Sequence, residues 1–305
     1  MSRDADRDAI VGINWASNNF RAYLIAADGS ALDEFVMPKG VIGLDRDGMA
    51  AMIADVAARW PGVSTIYASG MIGSNLGWVQ VPYADAPAGP SRLRAHAVAS
   101  DIGGVMVHIV PGVACRREDG APDVLRGEEI ELLGLARIGA RADLAVLPGA
   151  HTKWVGFRGA GIGDFFTNIA GELHDRLTTQ GLLASVVEGE ARDGDAFRKG
   201  LARGREGRLS LGTLLFGARA QVMRGDLAKA DAASYLRGLL IGTEIADAVA
   251  VHGPLAGQDV VLIGNPALSA LYAAAIESFG AATSIVDGRR ACLAGFRALH
   301  EANDD

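Results

Sequence analysis

The chain has 305 residues, half of them hydrophobic, which is enough apolar material for one large or two medium domains and leaves no case for global disorder. Asp and Glu number 36 against 29 Lys and Arg, a formal net charge of −7, and aromatic residues make up 6%. An acidic, aromatic-poor chain is a poor nucleic-acid surface, because phosphate binding needs a cationic face and base stacking needs rings.

In chain order, Ile10 to Trp15 reads as a buried strand. Phe20 to Ala26 is a second, ending at the turn dipeptide Asp28-Gly29, and Ala31 to Met37 is a third. Asp45 opens a helix that runs through Arg59 and is closed by Pro61-Gly62. Ser64 to Ala68 is a strand that enters the irregular stretch SGMIGSNLGWVQVPYADAPAGP, and Val105 to Val110 is another. A helix is expected from Gly127 to about Ile138. The pattern then restarts. Leu144 to Leu147 ends in Pro148-Gly149, and strands Lys153 to Phe157 and Gly163 to Thr167 flank the turn at Gly159 to Gly161. Helices follow at Gly171 to Leu183, Ala196 to Gly204, Leu211 to Arg224 and Ala232 to His252. Val260 to Ile263 is a short strand, Ala267 to Phe279 a helix, Ser284 to Val286 a last strand and Arg290 to Ala302 a last helix. A meander followed by helices and strands therefore occurs twice. The expectation is two α/β domains of similar plan, 1–140 and 141–305, joined around Gly139 to Arg141, with a small-molecule site in the cleft between them.

Cys115 and Cys292 make neither a disulfide framework nor a zinc site and read as bland buried or half-buried thiols. The polar start MSRDADRDAI is no secretory or transit signal, and no apolar run is long enough to span a bilayer. Cytoplasmic residence is expected, with small molecules or a second copy in a homodimer as partners, no nucleic acid and no membrane.

The first hairpin carries Ser17, Asn18 and Asn19 at its tip, where backbone N–H groups and short polar side chains can cradle phosphate oxygens; turn formers at an ordinary hairpin are the competing reading. This segment, NWASNNFRAY, is similar to the DWGTTNLRAW opening of the 2-dehydro-3-deoxygalactonokinase family, sugar-acid kinases of the actin/hexokinase/Hsp70 superfold. The resemblance continues in order through SGMIGSNLGWVQVPY, PDVLRGEEIELLGLA, LPGAHTKWV, IAGELHDRL, LRGLLIGTEIA and LIGNPALSALYAAAIESFG, nearly the whole chain. It implies an actin-like ATPase (ribonuclease H-like) fold of two similar α/β domains. It also implies ATP- and Mg2+-dependent phosphorylation of 2-dehydro-3-deoxy-galactonate at its 6-hydroxyl. A nucleotide- or sugar-acid-binding relative without turnover, or a kinase for another sugar acid, are the alternatives.

By resemblance Asn14, Ser17 and Asn18 form the first phosphate-facing loop. Asn14 stands where the superfold has an Asp that positions the Mg2+ hydration shell, and Ala16 where the family has Gly. An Asn can accept from a metal-bound water but brings no charge. Pro148 to Val155 resembles the second phosphate loop. Gly149 lets backbone approach oxygen, Thr152 offers a hydroxyl, Lys153 a cation, and His151 a hydrogen bond, against the plainer readings of a polar turn residue and a solvated charge. The general base is expected at the start of the helix ending domain one: Glu128 first, then Asp123, then Glu129, with helix capping as the competing reading. Ile130 and Glu131 replace the family's usual Thr and Gln. Arg126 suits the substrate carboxylate. Gly73, Ser74, Asn75, Trp78 and Tyr83 lie in a loop after a strand and could contact the sugar acid, with Trp78 as a structural plug the alternative. Thr167 and Gly171 precede a helix start suited to nucleotide phosphates. Gly264 and Asn265 resemble residues near adenine or ribose, unless their turn is purely structural.

Overall fold

The computed structural model describes residues 8–140 and 142–303. The first seven residues and Arg141 of the expected join lie outside the described residues. The described chain divides into two compact units, 8–140 with Phe157–Asp164 and 288–303, and 142–156 with 165–287.

In the first unit β1 (Ile10–Trp15), β2 (Phe20–Ile25) and β3 (Ala31–Met37) form the expected antiparallel meander. β1 is buried along almost its whole length, which suits a central strand covered on both faces. α1 (Arg46–Arg59) is capped by Asp45, whose carboxylate accepts the Gly48 N–H at 2.8 Å. Its Met49, Ile53 and Val56 share one core with Trp15 and Phe20. The chain then enters β4 (Ile66–Gly70), parallel to β1 with Asn14 opposite Ser69. A 3-10 turn at Met71–Gly73 and the short β5 (Ala84–Asp85) interrupt the stretch read as irregular.

Four elements appear that the sequence reading passes over: α2 (Pro90–Ala95), β6 (Val98–Ile102), β8 (Val113–Arg116) and β9 (Pro122–Leu125). β6 pairs with β7 (Val105–Ile109) through Gly103-Gly104, both at positive φ, which is why glycines stand there. The main sheet runs β3-β2-β1-β4-β7-β6, and β5-β8-β9 form a separate small sheet. α3 (Glu128–Arg137) follows as expected.

The second unit repeats the plan. β10 (Leu144–Leu147), β11 (Thr152–Arg158) and β12 (Gly161–Asn168) begin it, and the sheet order is β12-β11-β10-β13-β14. The helix expected from Gly171 to Leu183 is two, α4 (Ala170–Thr179) and α5 (Gly181–Ala184), because Gln180 is extended between them and Gly181 sits at positive φ. α6 (Asp195–Arg205), α7 (Leu211–Arg224) and α8 (Lys229–His252) precede β13 (Asp259–Ile263), α9 (Pro266–Glu277) and β14 (Ala282–Val286). The core beneath joins Leu144, Trp154, Phe197, Ile241 and Tyr272. The last helix, α10 (Gly288–Glu301), groups with the first unit, where Phe296 lies over Gly12 of β1. Among the described residues no helix is long and apolar enough to cross a membrane.

Candidate active site

In the first unit the candidate residues gather where β1 and β4 end. The carbonyls of Ala16 and Ser17 accept the N–H groups of Val41 and Ile42, both at 3.0 Å, so the tip of the β1–β2 hairpin is pinned to the segment after β3. Gly40 is required there, since a Cβ would fall 2.0 Å from the Ser17 carbonyl. Asn18 is exposed and shares a hollow of about 410 Å³ with Lys39. Asn14 is partly exposed, and its side chain hydrogen-bonds the buried thiol of Cys292 on α10.

Ser69, opposite Asn14 in the sheet, donates its hydroxyl to Glu129, whose second oxygen accepts the Gly127 N–H at 2.6 Å. Glu129 is fully buried, and desolvation, together with the charge of Glu128, pushes its carboxyl up to about 7. Glu128 is partly exposed at the first position of α3 and accepts the Arg126 N–H at 3.0 Å. Asp123 is not in that helix turn. It lies on β9, opposite Cys115, and Arg117 holds it at 3.4 Å.

Arg126 ties separate motifs together. Its guanidinium stacks on Tyr83 at 4.3 Å and donates to the Val81 carbonyl at 2.8 Å, with Gly73 packed beneath Nη1. Nε and Nη1 are buried without a hydrogen-bond partner among the described residues. Ser74 closes a local turn on the Met71 carbonyl at 2.7 Å, and Asn75 is exposed. Trp78 packs partly into the core under Arg46, whose guanidinium lies 4.4 Å from its ring, as the plug reading has it.

In the second unit β10 and β13 are parallel neighbours whose ends carry the two remaining motifs. The loop Pro148 to His151 is clasped from two sides. Gly171, at the start of α4, sits so close that a Cβ would fall 1.9 Å from the Gly149 carbonyl, and the Glu172 N–H donates to the Ala150 carbonyl at 2.9 Å. Gly264, at φ 142°, faces the Pro148 carbonyl. His151 pairs with Glu172 at 2.8 Å. Lys153 is 6% exposed, so it is no solvated charge. Thr152 is fully buried, and its hydroxyl is engaged with the Tyr272 hydroxyl at 3.0 Å, turned into the core rather than toward the outside of the loop. Thr167 lies near the end of β12, partly exposed. Asn265 caps α9, accepting the N–H groups of Ala267 at 3.0 Å and Leu268 at 3.2 Å.

Beside that cap opens a pocket of about 850 Å³, walled by Asn265, Leu268 and Leu271 on one side and His174, Asp175 and Arg237 on the other. The apolar α9 face and the polar opposite wall suit a ring system with hydrogen-bonding edges. Burial, with Arg237 nearby, holds the His174 imidazole below its ordinary range. These wall residues lie inside IAGELHDRL and LRGLLIGTEIA, where no turn or motif spacing marks them individually.

A model of the family described as 2-keto-3-deoxy-galactonokinase matches residues 14–299. The chain is 34% identical to the 2-dehydro-3-deoxygalactonokinase of Escherichia coli (strain K12), over 96% of this chain and 97% of that one. A crystal structure of a Sinorhizobium meliloti protein assigned as a 2-dehydro-3-deoxygalactonokinase superposes with a TM-score of 0.85 at 34% identity, covering 95% of this chain and 97% of its own. At 10% identity, the activator of the 2-hydroxyisocaproyl-CoA dehydratase from Clostridium difficile, solved with bound ADPNP, has a TM-score of 0.52 over 96% of this chain and 93% of its own. That likeness shows the shared fold, the actin-like ATPase type with two similar α/β halves.

Proposed function

The chain belongs to the 2-keto-3-deoxy-galactonokinase family, and from that premise we propose that it transfers the γ-phosphoryl group of ATP to the 6-hydroxyl of 2-dehydro-3-deoxy-D-galactonate. The enzyme is a carbohydrate kinase that acts on a sugar acid.

The observation that carries the sugar-acid reading is Arg126. A guanidinium with two buried, unpartnered N–H-bearing nitrogens is costly unless an anion meets it, and a carboxylate accepts two of its N–H groups at once. In this reading Arg126 holds the substrate carboxylate and Tyr83 fixes the guanidinium plane, while Gly73, Ser74, Asn75 and Trp78 shape the surrounding loop. Glu128, partly exposed at the start of α3, takes the hydroxyl proton as the new O–P bond forms and the bond to the β–γ bridging oxygen breaks, releasing ADP. Asp123, held by Arg117, is the weaker candidate. Glu129 anchors the Gly127 turn from behind.

For the nucleotide, the pocket beside Gly264 and Asn265 takes the base. The clasped loop with Gly149, His151 and Lys153, together with Gly171 and Thr167, takes the phosphates. Asn14, Ser17 and Asn18, on the first unit's own hairpin, are further candidates for phosphate oxygens.

Among the described residues no three His, Cys, Asp or Glu side chains are grouped to hold a metal ion. Mg2+ carried on the ATP phosphates needs no such cage, since it takes phosphate oxygens and waters as ligands. Asn14 would accept from a metal-bound water through its amide oxygen. Bound there, the ion would neutralise charge developing on the phosphoryl oxygens.

The test is ADP release by the purified protein with MgATP and a panel of sugar acids. The expected result is the highest kcat/KM with 2-dehydro-3-deoxy-D-galactonate. Release no faster than with ATP alone, for every acid in the panel, would overturn the reading.

A further inference from the structure

Four side chains from three elements form one buried hydrogen-bonded chain beneath the Pro148–Lys153 loop. The Thr152 hydroxyl meets the Tyr272 hydroxyl at 3.0 Å, the Tyr272 hydroxyl donates to Glu244 at 2.9 Å, and the Trp154 indole N–H donates to the other Glu244 oxygen at 2.6 Å. Thr152, Trp154 and Glu244 are fully buried and Tyr272 is 1% exposed. A carboxyl at full burial is expensive, and an apolar residue would fill the same volume more cheaply. Both Glu244 oxygens are used, one on the strand that leaves the loop and one, through Tyr272 of α9, on the first residue of that strand. Arg237, two turns earlier on α8, interacts electrostatically with both Tyr272 and Glu244 and also walls the 850 Å³ pocket.

We propose that Glu244 and Tyr272 are positioning residues for phosphoryl transfer: they fix Thr152 and Trp154, and through them the set of the loop that carries Gly149, His151 and Lys153. The proposal rests on the reading of that loop as the one that meets the nucleotide phosphates. α9 supplies both the Asn265 cap at the pocket and Tyr272 beneath the loop, so one helix holds pocket and loop in a common frame. All four side chains are buried, so the relay acts through the loop and not as a reacting group. Its effect is geometric, and a small misplacement of phosphate-holding groups lowers the rate of transfer without removing a reacting group.

The experiment compares Tyr272→Phe, Thr152→Val and the double variant with Lys153→Ala in the intact protein, reading kcat, KM for ATP, KM for the sugar acid and the melting temperature. Tyr272→Phe keeps the ring and removes only the hydroxyl. It is expected to lower kcat/KM for ATP by about tenfold while KM for the sugar acid stays within about twofold. The Thr152→Val and Tyr272→Phe losses should fail to add in the double variant, since they cut one chain. Glu244→Gln, which keeps an acceptor for Trp154, should retain more activity than Glu244→Leu. If Tyr272→Phe and Thr152→Val lower the melting temperature but leave all three kinetic constants unchanged, the positioning role is overturned. If Lys153→Ala also leaves ATP kinetics unchanged, the phosphate-loop reading has failed and the relay proposal falls with it. Impairment by Lys153→Ala alone overturns only the relay.

Discussion

Glu129 illustrates how much a single buried carboxyl can decide. Its value rises from the ordinary 4.5 to about 7 because burial disfavours the charged form more than Ser69 and the Gly127 N–H favour it. Below 4.5 the folded and unfolded chains both hold the proton. Between 4.5 and 7 the unfolded chain releases it and the folded chain keeps it, so stability falls as pH rises through that window and levels off above. The difference is on the order of 3 kcal/mol for a shift of this size. Thermal melts at pH 5 and pH 7.5 should show a clear drop for the native chain and a shallower one for Glu129→Gln. Equal drops would mean the carboxyl ionises freely in the fold. Glu244, raised to about 8 by burial, has the same sign, while His174 and His300, both held below the ordinary imidazole range by burial, add stability as pH rises and offset part of the drop in both chains. Asn14 poses the opposite case. Asn14→Asp would add a charge at the hairpin proposed to face the phosphates, and half-maximal rate should then need about threefold to tenfold less Mg2+, because that ion prefers anionic oxygen. The same charge would meet the buried Cys292 thiol, with Glu129 and Glu131 nearby, so a lower melting temperature should accompany it. An unchanged Mg2+ titration would remove Asn14 from the metal argument.

At the scale of elements, glycines decide which helices can touch. α3 and α10 cross so closely that a Cβ on Gly134 would fall 1.9 Å from the Ala291 carbonyl, and one on Gly295 1.8 Å from the Ile130 carbonyl. Backbone cannot give way as a side-chain tip can. Gly295→Ala should therefore cost about 1–3 kcal/mol or more by overpacking. Gly212 on α7 has open space around its Cβ position, and Gly212→Ala should stabilise by about 0.4–1 kcal/mol through the unfolded chain. Urea titrations of the two variants should move in opposite directions; a shared direction would refute the packing argument. The same contrast explains what was legible. Long elements such as α1, α7 and α8 are readable because many helix-forming residues run between flanking breakers, with Asp45 also capping α1, and β1 because it is a mostly apolar run that ends at a polar turn. The four-residue strands β8 and β9 carry too few positions for a period, so the sequence groups Asp123 with the start of α3, whereas the structure puts it on β9. The β6–β7 hairpin did carry its signal, alternation around Gly103-Gly104, within a stretch dominated by loop residues. Of the candidate site, the loops show themselves through glycine and motif. The pocket wall of His174 and Arg237, and the relay through Glu244 and Tyr272, do not, because helical side chains meet there only after folding.

For the whole molecule, the consequential fact is where the last described helix packs. A single boundary near residue 140 assigns the last helix to the second unit, yet 288–303 belongs with the first. Nothing local in GRRACLAGFRALHE reveals this, since an amphipathic helix fits any apolar sheet face. The particular partner is set at long range. Phe296 fills the space that Gly12 leaves on β1, Ala291, Cys292 and Leu299 are buried beside it, and Arg297 donates to the Asp8 carbonyl at 2.9 Å. From α2, Arg94 reaches back to the Ala302 carbonyl at 2.6 Å. Fully buried side chains of the Phe and Leu size contribute about 1.5–3 kcal/mol each, and a domain's whole margin is about 5–15 kcal/mol. A chain ending at Asp287 should thus lose the first unit, while the second keeps its core of Trp154, Ile241 and Tyr272. Limited trypsin digestion should degrade 8–140 and spare fragments from 165–287, with phosphoryl transfer abolished. If 8–140 resists trypsin equally with and without the last helix, then α10 is an accessory rather than the closing layer of the first unit, and the β1 face over Gly12 must be covered by something else.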